Sequence, residues 1–296
     1  MENATFTNIR NTKQQLASKY LKDAKTLYIQ LLKDIFDDPE NYEQIIKNRK
    51  HHFYVFLHNV YTTTQKKVSG SVVDVSKILD GDNLKTEVRN AYNLQLKNLL
   101  MSKVDLILNT IKKDVEKAIN TSTINYIKMI NTAKHNLYDI NNKIAQHKFD
   151  THFAGYGNFL ENERIDKKKE LNELEKNKRQ EMSILLKTIL IPLFVSRSTF
   201  VANQEVHCAE SISRHLEASI INNNLKNQKK QLQKIWDTIL DDRTRHSHET
   251  INGQIRNMDD YFNVGNEIAM YPRDPKLSIG NSANCRCDLM YRIINQ

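Results

Sequence analysis

Breakers are scarce in this chain. Across 296 residues there are 7 glycines and 4 prolines, and glycine and proline are the residues that most strongly interrupt regular structure. A chain with so few of them does not build a turn-rich β-sandwich, and long helices are the expected alternative. The apolar pattern agrees. Leu16, Tyr20, Ala24, Leu27, Leu31 and Ile35 recur at steps of three or four, which gives a helix from about Asn11 to Phe36 one buried stripe. Asp37, Asp38 and Pro39 stop it, and a second helix is predicted over Tyr42 to Lys66.

The middle of the chain predicts a helical hairpin. One helix runs from Leu84 to about Ile119, capped by Asp82, and Asn120, Thr121 and Ser122 form a turn. A second helix then continues to about His147 with Ile124, Ile127, Ile130, Leu137, Ile140 and Ile144 inward. Phe153 to Phe159 reads as a glycine-aromatic loop. The mixed-charge run from Glu161 to Glu181 reads as a solvated helix. Further on, a buried helix is predicted up to Pro192, another over Val201 to Leu225, and a basic helix around Lys226 to Ile239. Val68 to Asp74 is short and β-branched, as an extended segment would be. Asn284 to Met290, with Leu289, Met290 and Tyr291, reads as a closing strand. The fold class is therefore mainly α, with a smaller α+β C-terminal domain. The expected division is 1–81 (N-terminal helical region), 82–183 (hairpin and charged helix) and 184–296 (C-terminal domain).

Composition bounds the function. With 39% hydrophobic and 27% charged residues, the chain is globular rather than disordered. A net charge of +9 favours anionic partners, nucleic acid among them. Lys226, Lys229, Lys230 and Lys234 form one basic segment and Lys167, Lys168 and Lys169 another. Phosphate contact by such lysines would be salt-sensitive and blind to sequence. The competing reading is a set of solvated lysines on exposed helices. No apolar signal core opens the sequence, and the run from Ile184 to Val195 is interrupted by Lys187 and Pro192, so no membrane span is expected. An odd count of three cysteines does not read as a secreted disulfide framework.

The specific signal lies in the last third, which reads WDTILDDRTRHSHETINGQ from Trp236, MYPRDP from Met270 and NCRC from Asn284. Trp236, Asp241, Asp242, Arg243, Thr244, Arg245, His248, Gly253, Phe262, Met270, Pro272, Asp274, Asn284, Cys285, Arg286 and Cys287, in this order and spacing, resemble the Mu F-like domain of phage minor head proteins. Glu205 resembles the glutamate of that family's Thr-Glu helix, with Gln204 where threonine is usual. The resemblance spans roughly residues 185 to 296. It implies a virion protein of the capsid interior near the portal, made in the host cytoplasm and acting in head morphogenesis and in DNA retention or ejection. Its implied partners are the portal protein, capsid or scaffold proteins and double-stranded DNA, with self-assembly in the virion.

Read by themselves, His246, His248, Cys285 and Cys287 offer two imidazoles and two thiols, a donor set suited to zinc. The one-residue spacing puts each pair on one side of an extended segment, although structural zinc sites favour wider spacing. His207, Cys208 or Asp242 are alternative fourth ligands. The contrary reading has His248 in an ordinary hydrogen bond and the cysteines as small core residues. The pattern makes no cofactor certain, and a structural zinc ion is the one it suggests. Glu205, Asp242, His248 and Cys285 could also compose an acid-base or Cys-His site. No P-loop, nucleophile elbow or HExxH motif accompanies them, so no enzyme is expected. The rival is a metal-dependent nuclease or toxin-like enzyme built on the His/Cys cluster. For the Asp-Arg-Thr-Arg segment, the expectation is a capped turn with Arg243 or Arg245 bridging to a carboxylate such as Glu205.

Overall fold

A computed structural model describes residues 2–72, 81–147 and 154–295. Helices dominate, with a small C-terminal sheet. In chain order they are α1 (Glu2–Asp37), α2 (Tyr42–Asn48), α3 (Lys50–Val68), α4 (Gly81–His147), α5 (Ala154–Lys176) and α6 (Lys178–Lys226), with the four-residue helices α7 (His246–Glu249) and α8 (Ile279–Ser282). The strands are β1 (Lys230–Asp237), β2 (Ile255–Asn257), β3 (Phe262–Val264), β4 (Glu267–Ala269) and β5 (Asp288–Asn295). This is the mainly α fold class, with its smaller α+β C-terminal part, that the breaker count and patterning predict.

Several elements differ from the sequence expectation, each for a local reason. The expected turn at Asn120 to Ser122 is absent, because α4 runs without interruption for 67 residues. Val104, Leu108, Ile111, Val115, Ala118, Tyr126, Ile130 and Ala133 keep one helical phase through that point, and Ser122 is buried on the same stripe. Ile124 and Ile127, predicted inward, are consequently exposed. The hairpin is made instead by α4 and α5. The Tyr126 hydroxyl donates to the Leu174 carbonyl at 3.1 Å, and these residues lie about equally far from the facing ends of their helices, so the two run antiparallel.

The predicted loop at Phe153 to Phe159 is helical from Ala154 onward, with Tyr156 stacked on Phe159 and Leu160 buried; Phe153 lies outside the described residues. The expected second helix is two, α2 and α3, parted at Arg49. The expected extended segment Val68–Asp74 is not a strand where it is described, since Val68 ends α3 and Ser69 and Gly70 form a turn; Val73 and Asp74 lie outside the described residues. Pro192 does not end a helix, since α6 continues through it. Pro192 is exposed, so the carbonyl deprived of its partner can be solvated. This continuity makes α6, among the described residues, the one helix long and apolar enough to cross a membrane by length and composition. Of its most apolar window, 28% is buried within the protein.

The expected basic helix after Lys226 is strand β1. Lys229 adopts a left-handed conformation (φ 53°), and the Leu232 amide donates to Asn222 Oδ1 at 2.7 Å, so the chain leaves α6 sharply. Leu232, Lys234 and Trp236 then alternate inward with period two. β1 is the centre of an antiparallel sheet of order β2-β1-β5, with Trp236 opposite Leu289 and Asp237 opposite Asp288. β3 and β4 form a hairpin whose two-residue turn places Gly265 (φ 64°) first, where a side chain would be strained.

Contacts group the chain into two compact units. One comprises residues 1–29, 48–107 and 195–296, and the other residues 30–47 and 108–194. In the first unit, Trp236, Phe262, Val264, Leu277, Cys285, Cys287 and Leu289 share a core with Ala218, Ile221 and Leu225 of α6 and Leu84 and Val88 of α4. Trp236 is fully buried, edge-on to Phe262 at 5.1 Å, an arrangement worth roughly 1 kcal/mol beyond the area it removes from water. In the second unit, Tyr42 donates to Glu116 and Lys112 pairs with Glu43.

Candidate functional site

The site is assembled by β1, α7 and the segment entering β5. β1 is anchored by Trp236 and passes directly into Thr238. The Thr238 hydroxyl donates to the His248 carbonyl at 3.0 Å and lies 3.5 Å from Cys287 Sγ, so one side chain registers both halves of the site. Asp241 orders the intervening loop by accepting from the Arg243 amide, and Thr244 Oγ1 donates to the Ile239 carbonyl. The loop delivers α7, whose His248 is buried and lies T-shaped against Trp236 at 6.0 Å. On the other side, Asn284 is left-handed (φ 52°) and its amide donates to Gln204 Oε1. Asparagine tolerates this conformation better than most residues. From there the extended backbone puts Cys285 and Cys287 on the buried side and leaves Arg286 between them partly exposed.

The result is a buried cluster of His248, Cys285 and Cys287 whose ligand atoms lie within 4.8 Å of one another. His248 Nδ1 is 3.2 Å from Cys287 Sγ and 3.6 Å from Cys285 Sγ. The thiols influence each other strongly. A hydrogen bond from Cys287, helped by His248 and Arg273, holds Cys285 well below the usual thiol range against the opposing effect of burial. The mutual contact and burial raise Cys287. The set could hold a metal ion. His248 Nε2 is buried and meets no hydrogen-bond partner among the described residues.

The remaining predicted residues fall into place differently. His246 is exposed on the outer side of α7 and pairs with Glu249, so it does not join the cluster; in a helical turn, residues two apart face different ways. Asp242 is exposed. His207 and Cys208 lie on α6 outside the cluster, where burial lowers the His207 imidazole to about 2 and raises the Cys208 thiol. Glu205 receives neither Arg243 nor Arg245. It accepts from the Tyr61 hydroxyl at 2.8 Å and pairs with Lys103 at 2.9 Å. The bidentate bridge of the loop runs from Arg286 to Asp241, at 2.6 and 2.5 Å, and it holds the Asp241 carboxyl far below the usual carboxylate range. Arg245 donates to the Ala283 carbonyl, and Arg243 is exposed near Asp241. Gly253 has φ 73°, and its amide donates to the Trp236 carbonyl. Buried Pro272 precedes Arg273, and Asp274 accepts from the Met270 and Lys276 amides, closing that turn.

Of the proposed DNA-contacting lysines, Lys226 and Lys229 are exposed and Lys230 is half-buried. Lys234 is fully buried, and its ammonium donates to the Met258 and Met270 carbonyls, so it faces the core and not a phosphate. Lys168 and Lys169 are exposed, while Lys167 bonds to Glu170.

Sequence reading missed a second polar centre. Lys13 of α1 is bonded to buried Asp288 and lies 3.5 Å from Glu210, which in turn pairs with Arg214 at 3.2 Å. Arg10 reaches Asp237 at 2.8 Å. The signal was present: Lys13 interrupts the apolar stripe of Ile9, Leu16 and Tyr20, where only a paired charge can be buried.

Against known families, residues 166–290 match the one described as phage Mu protein F like protein. The chain carries a Mu F-like region. The match starts within α5, earlier than the motif resemblance, and ends within β5. It therefore takes in the whole His248–Cys285–Cys287 cluster and supports a phage head morphogenesis protein. No curated protein and no solved structure matches the chain.

Proposed function

We propose that this Mu F-like chain is a minor head protein of a phage particle, held in the capsid interior near the portal, where it serves head morphogenesis and the retention or ejection of DNA. The observation that carries this reading is the family match over residues 166–290. Two surface features support it. Lys168, Lys169, Lys226 and Lys229 are exposed in a chain of net charge +9, which suits salt-sensitive, sequence-blind contact with double-stranded DNA. Ile184 and Ile191 of α6 are 49% and 46% exposed two turns apart, and such a face suits a protein partner, here the portal or a capsid or scaffold protein. In this role the Mu F-like domain, taken as 184–296, is a scaffold and not an enzyme, and its His/Cys cluster holds two loops together.

Mass spectrometry of purified virions, with the portal complex isolated from them, tests the reading. Co-purification of the chain with the portal at a few copies per particle is expected. Absence from particles would overturn it and redirect attention to nuclease assays.

A further inference from the structure

We infer that His248, Cys285 and Cys287 form a zinc(II) site with three protein ligands, Nδ1 and two Sγ, and one water as the fourth. The inference stands on the geometry of the site and is independent of any role in a virion.

The donor set comes first. Two thiolates and an imidazole are soft to borderline ligands that select zinc over magnesium or calcium. The spacing comes next. With Zn–S near ~2.3 Å and Zn–N near ~2.05 Å, a tetrahedral ion separates nitrogen and sulfur ligands by roughly 3.6 Å. The two nitrogen–sulfur distances here are 3.2 and 3.6 Å, so an ion needs only a few tenths of an ångström of adjustment. An ordinary thiol–imidazole hydrogen bond explains one such contact. It does not explain why two sulfurs from one strand entrance converge on the same ring nitrogen, which can share only one hydrogen.

Charge and burial agree. All three side chains are buried, and two thiolates with one Zn²⁺ make a neutral unit, which is the form a buried site tolerates. No fourth ligand comes from the candidates named earlier. His246 and Asp242 are exposed, and His207 and Cys208 lie outside the cluster. Beside the cluster lies a cavity of about 20 Å³, lined by Thr238, Arg245, His248, Cys285, Arg286 and Cys287 among others. That volume holds about one water molecule. Such an ion would tie α7 to the entrance of β5, and with it the strand that completes the sheet on β1.

The test uses the full chain purified under reductant and without chelator. Elemental analysis is expected to return one zinc per chain. Replacement by Co²⁺ is expected to give the thiolate-to-cobalt absorption and the intense visible bands of a tetrahedral site. His248→Asn and Cys287→Ser should each abolish those bands. Because either variant could misfold, wild-type protein stripped of metal, checked for helicity by circular dichroism and titrated with Co²⁺, provides the second measurement. A small anion such as azide should shift the cobalt spectrum by displacing the water. Folded wild-type protein that neither contains zinc nor takes up cobalt overturns the site, as does a native Cys285–Cys287 disulfide or a spectrum unchanged in both variants. A cobalt spectrum indifferent to azide overturns the water and implies a fourth protein ligand.

Discussion

Replacing Asp288 by asparagine changes one atom and removes the anion at the centre of a buried charge cluster. Its side chain is fully buried, bonded to Lys13, itself 3% exposed, and Arg10 Nε lies 3.5 Å away. Burial by itself would raise the Asp288 carboxyl, but Lys13 and Arg214 outweigh it and bring the group down to about 2 from its ordinary 3.8. Because the folded value lies below the unfolded one, the contribution is fully present above pH ~4 and is lost as pH falls toward ~2. At about 1.4 kcal/mol per pH unit it amounts to roughly 2–3 kcal/mol. At pH 7 the amide leaves the Lys13 ammonium buried with only Glu210 at 3.5 Å. Removing one partner of a buried pair costs roughly 3–5 kcal/mol. Asp288→Asn is therefore expected to lose that amount in urea denaturation at pH 7, followed by circular dichroism. Lys13→Met should lose a similar amount. The double variant should fall short of the summed losses by about 2 kcal/mol or more, since it strands no charge. A loss below about 1 kcal/mol for Asp288→Asn, or additive losses in the double variant, would refute the argument that α1 is fastened by this pair.

Further expectations follow from other buried groups. Glu217 is raised to about 7 by burial, against the Gly70 amide that bonds it and nearby Arg214. Its contribution is thus present below pH ~4.5 and lost as pH rises through ~7, so Glu217→Gln should leave stability at pH 4.5 unchanged and raise it by about 3 kcal/mol at pH 8.5. Equal effects at both values would contradict this. Tyr61→Phe removes the hydroxyl that donates to buried Glu205, and thermal and urea unfolding should register a loss of about 1.5–3 kcal/mol. Gly265→Ala forces a side chain into a left-handed turn position and should cost about 1 kcal/mol, whereas Gly280→Ala, at an ordinary φ, should cost less. On the proposed contact with DNA, Lys168→Glu with Lys169→Glu should weaken binding and flatten its dependence on salt, with no effect of Lys234→Met on that slope, and a salt slope unchanged in the double variant would contradict the contact.

Local chemistry made much of this protein legible before its structure. Sparse breakers and a 3.6-residue apolar period establish helices without knowledge of their neighbours, because both act through each residue's own backbone and nearest turns. The motif from Trp236 to Cys287 marked where the specific structure lies, and the one-residue spacing of Cys285 and Cys287 already implied a shared side of an extended segment. Where helices end was less legible. α4 passes through Asn120 to Ser122 and α6 through Pro192, because packing of a continuous stripe outweighs local stop signals. β1 looked like a basic helix because Lys230 and Lys234 are charged, and charge says nothing of whether an ammonium finds two carbonyls in a core.

Partnerships across the chain were decided by tertiary structure alone. Sequence order offered two histidines and two cysteines as candidate ligands, and folding brought three of them together, turning His246 outward by the geometry of one helical turn while bringing His248 to thiols 37 and 39 residues away. It likewise gave Glu205 to Tyr61 and Lys103, and Asp288 to Lys13, 275 residues earlier. Helical periodicity is a property of neighbours a few residues apart, whereas a buried charge or a soft-donor cluster depends on which distant segments share a core, and only the folded chain sets that.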